Sequence, residues 1–177
     1  MRSRIAFALL AGGLAATVLA QQPAPPKPGP ETKKLDVFAG KWSGESEMKP
    51  GPMGPGGKFT GEDDCAWFEG GWQLVCNNTG NGPMGPMKGQ GAMGWSAEEK
   101  VYKYQGFDSS GMMITATGKN EGNTWTWTGQ DKMGGKLIHS RYTIVKPTAT
   151  TQTFKWETSE DGKTWTTMME GKSTKKP

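Results

Sequence analysis

The chain has 177 residues and a formal net charge of +4, from 21 basic and 17 acidic side chains. Two of the basic residues, Arg2 and Arg4, belong to a removable-looking N-terminus, and without them 19 basic residues face 17 acidic ones. Near neutrality, with lysines dispersed along the chain, excludes a dedicated nucleic-acid surface, and the length suits one domain with one core.

Residues 1–20 join a basic start to an apolar run from Ile5 to Ala20 that ends Val18-Leu19-Ala20. This is the pattern of a cleavable secretory signal cut before Gln21, which implies a periplasmic or secreted protein. A membrane span requires about 20 strongly apolar residues. Gly12 and Gly13 interrupt this run, so no stable membrane anchor is expected after cleavage. Residues 21–30, with five prolines in ten positions, read as an extended linker. The folded domain is expected over 31–172, followed by a basic tail at 173–177.

Pro30, Glu31, Leu35, Phe38 and Gly40 carry the start, first-turn charge, apolar spacing and stop of a short helix. Such a helix could plug one end of a barrel. From Lys41 onward the period is two: Trp42, Gly44, Ser46 and Met48 share one face, and Ser43, Glu45, Glu47 and Lys49 the other. Similar runs recur at about 57–68, 71–79, 88–95, 100–107, 111–118, 123–130, 136–146, 150–158 and 163–171, making ten strands. Turn residues such as Asp108-Ser109-Ser110-Gly111 and Asn120-Glu121-Gly122-Asn123 separate them. Only Pro50 to Gly57 and Gly80 to Met87 read as irregular loops. A two-sheet sandwich would need long crossovers. The expected fold is therefore all-β, a single up-and-down antiparallel β-barrel of about ten strands with a short N-terminal helix.

Cys65 and Cys76 lie in CAWFEGGWQLVC. Folding this stretch about Gly70-Gly71 sets Cys65 opposite Cys76 and Trp67 opposite Leu74, so an oxidising compartment should join the pair in a disulfide.

Catalytic chemistry finds little support. His139 is the sole histidine, placed by alternation beside Arg141 and Thr143 on the less apolar face of its strand, so no Ser-His-Asp arrangement can be drawn. In Glu62-Asp63-Asp64 only Glu62 and Asp64 can act together, since successive strand residues face opposite ways. An enzyme built on that pair ranks last. No catalytic residue, resident metal or cofactor is assigned.

Eight tryptophans and eleven methionines are the compositional signals. Trp42, Trp125, Trp127, Phe154 and Trp156 fall on inner faces and are expected to line a pocket for a small hydrophobic ligand. Met84, in the Gly-Pro-Met-Gly-Pro segment 82–86, and Met87, directly after it, are expected at its mouth. Thioethers also suit copper(I), so a soft-metal or haem protein using Met84, Met87 or the C-terminal methionines with His139 is the first alternative. A filled barrel with a structural or interaction role is the second.

GPETKKLDVFAGKWSGE, CAWFEGGWQLVC, MGWSAEEKVYKYQGFDSSG and FKWETSEDGKTWT together resemble the exported bacterial family known as domain of unknown function 1579, over nearly all of 30–172. Gly40-Lys41-Trp42 is similar to the strand-opening Gly-x-Trp of lipocalins, and Leu35 to Gly40 to the approach segment of nitrobindins, ten-stranded barrels that hold haem. That resemblance would place an axial histidine in the last strand. Residues 163–172, KTWTTMMEGK, contain none, so the barrel carries over and the haem does not.

Overall fold

The computed structural model describes residues 27–51, 54–146 and 148–177. The expected signal segment and most of the expected linker lie outside the described residues. A helical turn, α1 (Pro30–Lys33), runs on as a 3-10 turn (Lys34–Phe38), and ten strands follow. They are β1 (Gly40–Met48), β2 (Gly57–Trp67), β3 (Gln73–Gly82), β4 (Gly85–Ser96) and β5 (Val101–Asp108), then β6 (Met113–Glu121), β7 (Thr124–Met133), β8 (Lys136–Val145), β9 (Thr151–Ser159) and β10 (Thr166–Lys175). Each strand pairs antiparallel with its sequence neighbour, and β1 pairs with β10 to close the barrel. Closure removes every sheet edge, which is why a sequence without edge-protecting features can hold this fold. No helix among the described residues is long and apolar enough to cross a membrane.

Two boundaries differ from the sequence reading. Gly80 to Met87 is not an irregular loop: β3 and β4 stay paired as far as Gly82 opposite Gly85, leaving Pro83 and Met84 as a two-residue turn. Gly85, at φ +95°, supplies the backbone conformation that this tight turn needs. At the C-terminus, β10 continues to Lys175, so the expected basic tail begins within the sheet, and Lys176 pairs with Glu62 at 2.5 Å.

Cys65 and Cys76 sit opposite each other in the β2–β3 ladder and are joined by a disulfide, with Trp67 opposite Leu74. Closing a loop with a sequence separation of 11 contributes about 3 kcal/mol on the chain-entropy model.

The helical segment plugs one end. Leu35 and Phe38 are buried, each contributing about 2 kcal/mol by removal from water. Three side chains from the barrel pin the plug: Trp42 Nε1 donates to the Phe38 carbonyl (3.0 Å), Trp67 Nε1 to Asp36 (2.6 Å), and the Tyr102 hydroxyl to Glu31 (3.0 Å). Phe38 then meets Trp125 edge-on at 5.1 Å, Tyr102 meets Trp125 at 4.8 Å, and Trp127 stacks on Trp125 at 6.3 Å. The dense core is therefore a floor at the plugged end.

Candidate functional site

Register determines what faces the lumen. Buried Trp42 lies opposite Asp63, Asp63 opposite Asn78, and Cys65 opposite Cys76, so Asp63 and Asn78 point inward. By the same ladders Tyr102, Tyr104, Ala116, Trp127, Tyr142, Phe154 and Trp156 share the inner face.

The inner face changes character along the barrel axis. Near the plug Trp42, Leu74, Tyr102 and Trp125 are buried, with Trp67 and Trp95 half-buried against them. Toward the opposite end Asp63, Asn78, Tyr104, Ala116, Tyr142, Phe154 and Trp156 point inward yet remain half-buried, so solvent reaches the inside there.

The inward glycines separate places that side chains fill from places that they leave bare. A methyl group added at Gly118 would meet the Trp127 ring at 2.6 Å, one at Gly106 the Tyr104 hydroxyl at 2.5 Å, and one at Gly171 the Phe154 ring at 2.8 Å; these glycines give room to aromatic rings. At Gly80 the nearest atom is the Thr60 carbonyl oxygen at 3.5 Å, and at Gly61 the Thr79 oxygen at 3.1 Å, with no side chain in front of either. The wall of β2 and β3 is therefore bare at Gly61 and Gly80, while one step nearer the rim the Phe59 ring covers Gly82.

Within this chamber stand polar groups that the protein does not satisfy. Asn78 Nδ2 donates to Asp63 Oδ1 at 2.6 Å. Asp63 Oδ2 and the hydroxyls of Tyr104 and Tyr142 have no partner among the described residues. No enclosed side-chain nitrogen or oxygen among the described residues is without a partner, so these three atoms reach solvent inside the barrel. Burial pushes the Asp63 carboxyl above its usual range, and the Asn78 hydrogen bond only partly offsets this. Both tyrosine hydroxyls are pushed up as well, first by burial and then by the negative charge of Asp63, so the three groups share one electrostatic environment.

The residues singled out from sequence divide between floor, wall and rim. Trp42 is 2% exposed beneath the Lys146 ammonium, which sits 4.0 Å from its ring centre. Trp125 belongs to the floor, and Trp127 forms its upper surface under Tyr104. Phe154 stacks on Tyr142 at 5.3 Å, and Trp156 lies opposite Tyr142 on the half-open wall. Met84 and Met87, 65% and 41% exposed, stand at the rim. Asp63, Tyr104 and Tyr142 complete the chamber and had not been singled out. The available signal was Cys65: two residues from Asp63 on the same strand, it commits Asp63 to the disulfide's face.

The acidic pair and the histidine singled out from sequence face outward. Glu62 pairs with Lys176 (2.5 Å), Asp64 with Lys41 (3.7 Å) and Glu45 with Lys172 (2.9 Å). The Lys176 hydrogen bond holds Glu62 below the usual carboxylate range, which suits a standing ion pair better than proton transfer. His139 is on the outer face of β8, its Nδ1 3.1 Å from Gln130 Nε2. Met169 faces inward opposite Met48 and Trp156, while Met168, at a bulge in β10, is buried under the β1–β2 connection with its methyl group toward Gly51. The bulge thus leaves Met168 buried beside the inward, half-buried Met169, where strict alternation would have turned one of the two out to solvent. Shallow grooves also cross the outer face, one of them beside His139, Thr128 and Trp165. They lack the enclosing walls of the lumen.

The model of the family described as Protein of unknown function (DUF1579) matches residues 27–175. No curated protein matches the chain. Among solved structures, the crystal structure of Rv2717c from M. tuberculosis matches with a TM-score of 0.60 at 12% identity, covering 85% of this chain and 100% of that one. The S-type phycobiliprotein lyase CPES from Guillardia theta matches with a TM-score of 0.56 at 9% identity, covering 82% of this chain and 92% of that one. At these identities the likeness is one of fold.

Proposed function

Because the chain belongs to the DUF1579 family of proteins of unknown function, we propose a role that the barrel itself supports: a non-enzymatic binder of a small amphipathic molecule, exported from the cell. The observation that carries this reading is the chamber. Aromatic rings wall it, Gly61 and Gly80 leave part of one side bare, and three polar atoms stand in it without partners among the described residues. Apolar walls with a few convergent polar groups are the usual composition of a small-molecule site. Export fits the disulfide, which persists in oxidising compartments. The residues of the soft-metal alternative are spread among the rim, strand β10 and the outer face of β8, and nothing in their placement favours it.

The test is tryptophan quenching and native mass spectrometry against a panel of amphipathic molecules, with the wild type beside Gly80→Leu. Leucine projects an isobutyl group into the chamber from the bare wall. Saturable binding by the wild type, weakened about tenfold in the variant, supports the reading. Equal binding by the two, or no binding by the wild type, contradicts it.

A further inference from the structure

The three unpartnered polar atoms of the chamber are all acceptors of one kind of group. Asp63 Oδ2 has a full set of lone pairs, because Asn78 engages the other carboxylate oxygen. The Tyr104 and Tyr142 hydroxyls have lone pairs too, and their elevated pKa keeps them neutral. Among the described residues the inner face supplies no unpaired cation to this end of the barrel. By register Asp63, Asp108 and Asp131 face inward in the open half, opposite Asn78, Gly89 and Ile138 respectively. Asp108 is occupied with the Ser110 hydroxyl (2.5 Å) and the Met112 backbone amide (3.2 Å). The inward lysine of this half, Lys136, is held at the rim by Glu160 at 2.9 Å. Lys146 and Lys175 are beside Trp42 at the plugged end. Asp63 takes part in none of the ion pairs among the described residues.

A part-buried carboxylate without a counter-charge is unfavourable, and a cation arriving with its own hydrogen-bond donors relieves it. A primary ammonium carries three donors, matching one carboxylate oxygen and two hydroxyls. The faces of Tyr142 and Trp156 beside it add cation–π attraction. Resting on the lumen reading above, we propose that the ligand is a primary amine with an apolar body, its ammonium held by Asp63, Tyr104 and Tyr142 and its body laid against Phe154 and Trp156. This assigns Asp63 as the specificity-determining residue. It also excludes fatty-acid-like anions, which would face the Asp63 charge.

The experiment titrates n-octylamine, n-octyltrimethylammonium, 1-octanol and octanoate into wild-type protein and Asp63→Asn at neutral pH, with tryptophan emission as the readout. The proposal predicts that octylamine binds the wild type about tenfold or more tighter than octanol, in keeping with a charge-assisted contact. Octyltrimethylammonium, without N–H donors, falls between them, and octanoate binds weakest. Asp63→Asn brings the amine and alcohol affinities together. Tyr142→Phe, which removes one acceptor and keeps the ring, lowers the amine affinity about threefold, and it carries the test if Asp63→Asn fails to fold. Octanol matching or exceeding octylamine in the wild type overturns the amine proposal and leaves lumen binding standing. An amine preference that survives Asp63→Asn, or Tyr142→Phe where that variant carries the test, does the same. Failure of all four probes to bind overturns both.

Discussion

Two inward glycines, Gly80 and Gly118, give a direct prediction about where the barrel is hollow. Leucine at Gly118 places its Cβ 2.6 Å from two carbons of the Trp127 ring. That ring cannot retreat, because Trp125 at 6.3 Å, Tyr104 at 6.1 Å and Tyr102 at 6.4 Å surround it. Overpacking of this kind costs about 1–3 kcal/mol, and an indole locked on three sides belongs at the upper end. Leucine at Gly80 meets only the Thr60 carbonyl oxygen at 3.5 Å, an ordinary contact. Removing a glycine from a strand interior also recovers about 0.5–1 kcal/mol of backbone entropy, so Gly80→Leu is expected at wild-type stability or slightly above. The two variants should differ by about 3 kcal/mol. Equilibrium urea unfolding, followed by tryptophan emission, resolves a gap of that size. Equal destabilisation would show that side chains fill the barrel at Gly80 as they do at Gly118, and the chamber would not exist.

Three further outcomes are expected. Reducing the disulfide, or replacing Cys65 and Cys76 with alanine, should lower stability by about 3 kcal/mol without dismantling the barrel, read by urea unfolding with and without reductant. Burial pushes the Lys146 ammonium from 10.5 down to about 8, with the charge of Lys175 adding to the effect. Between those values the unfolded chain binds more protons than the native one, so this group makes stability rise with pH across the window. With part of the depression discounted for water reaching the amine, Lys146→Met should lose about 2 kcal/mol of stability relative to the wild type between neutral pH and pH 10.5. A difference between the two proteins that does not move with pH would show that the amine is not desolvated. Finally, protein recovered from an exporting bacterial host should begin at Gln21, as N-terminal sequencing would show; an intact Met1 would remove the export reading.

The barrel was legible because its determinants are local. Alternation in residues such as Thr124 to Thr128, with Asn, Asp and Gly at the turns, specifies strands and hairpins one after another. The Cys65–Cys76 register could likewise be read from the glycine pair between them. The segment from Gly80 to Met87 misled because two prolines and three glycines look irregular, whereas the β3–β4 ladder persists to Gly82 and Gly85 and uses Pro83 and Met84 as its turn. The chamber was less visible for a different reason. Whether an inward tryptophan is floor or wall depends on how deep the plug reaches, and the 5.1 Å contact between Phe38 and Trp125 is a long-range fact. Asp63 was hidden in a run of three acids. Its place two residues before Cys65, and its pairing opposite Trp42 and Asn78, separate it from the solvated Glu62 and Asp64.

The most direct measurement is a crystal structure of the protein soaked with n-octylamine. The account predicts the ammonium within hydrogen-bonding distance of Asp63 Oδ2 and the alkyl chain against Phe154 and Trp156. A lumen closed by side chains, with the amine found only on the outer face, would contradict it.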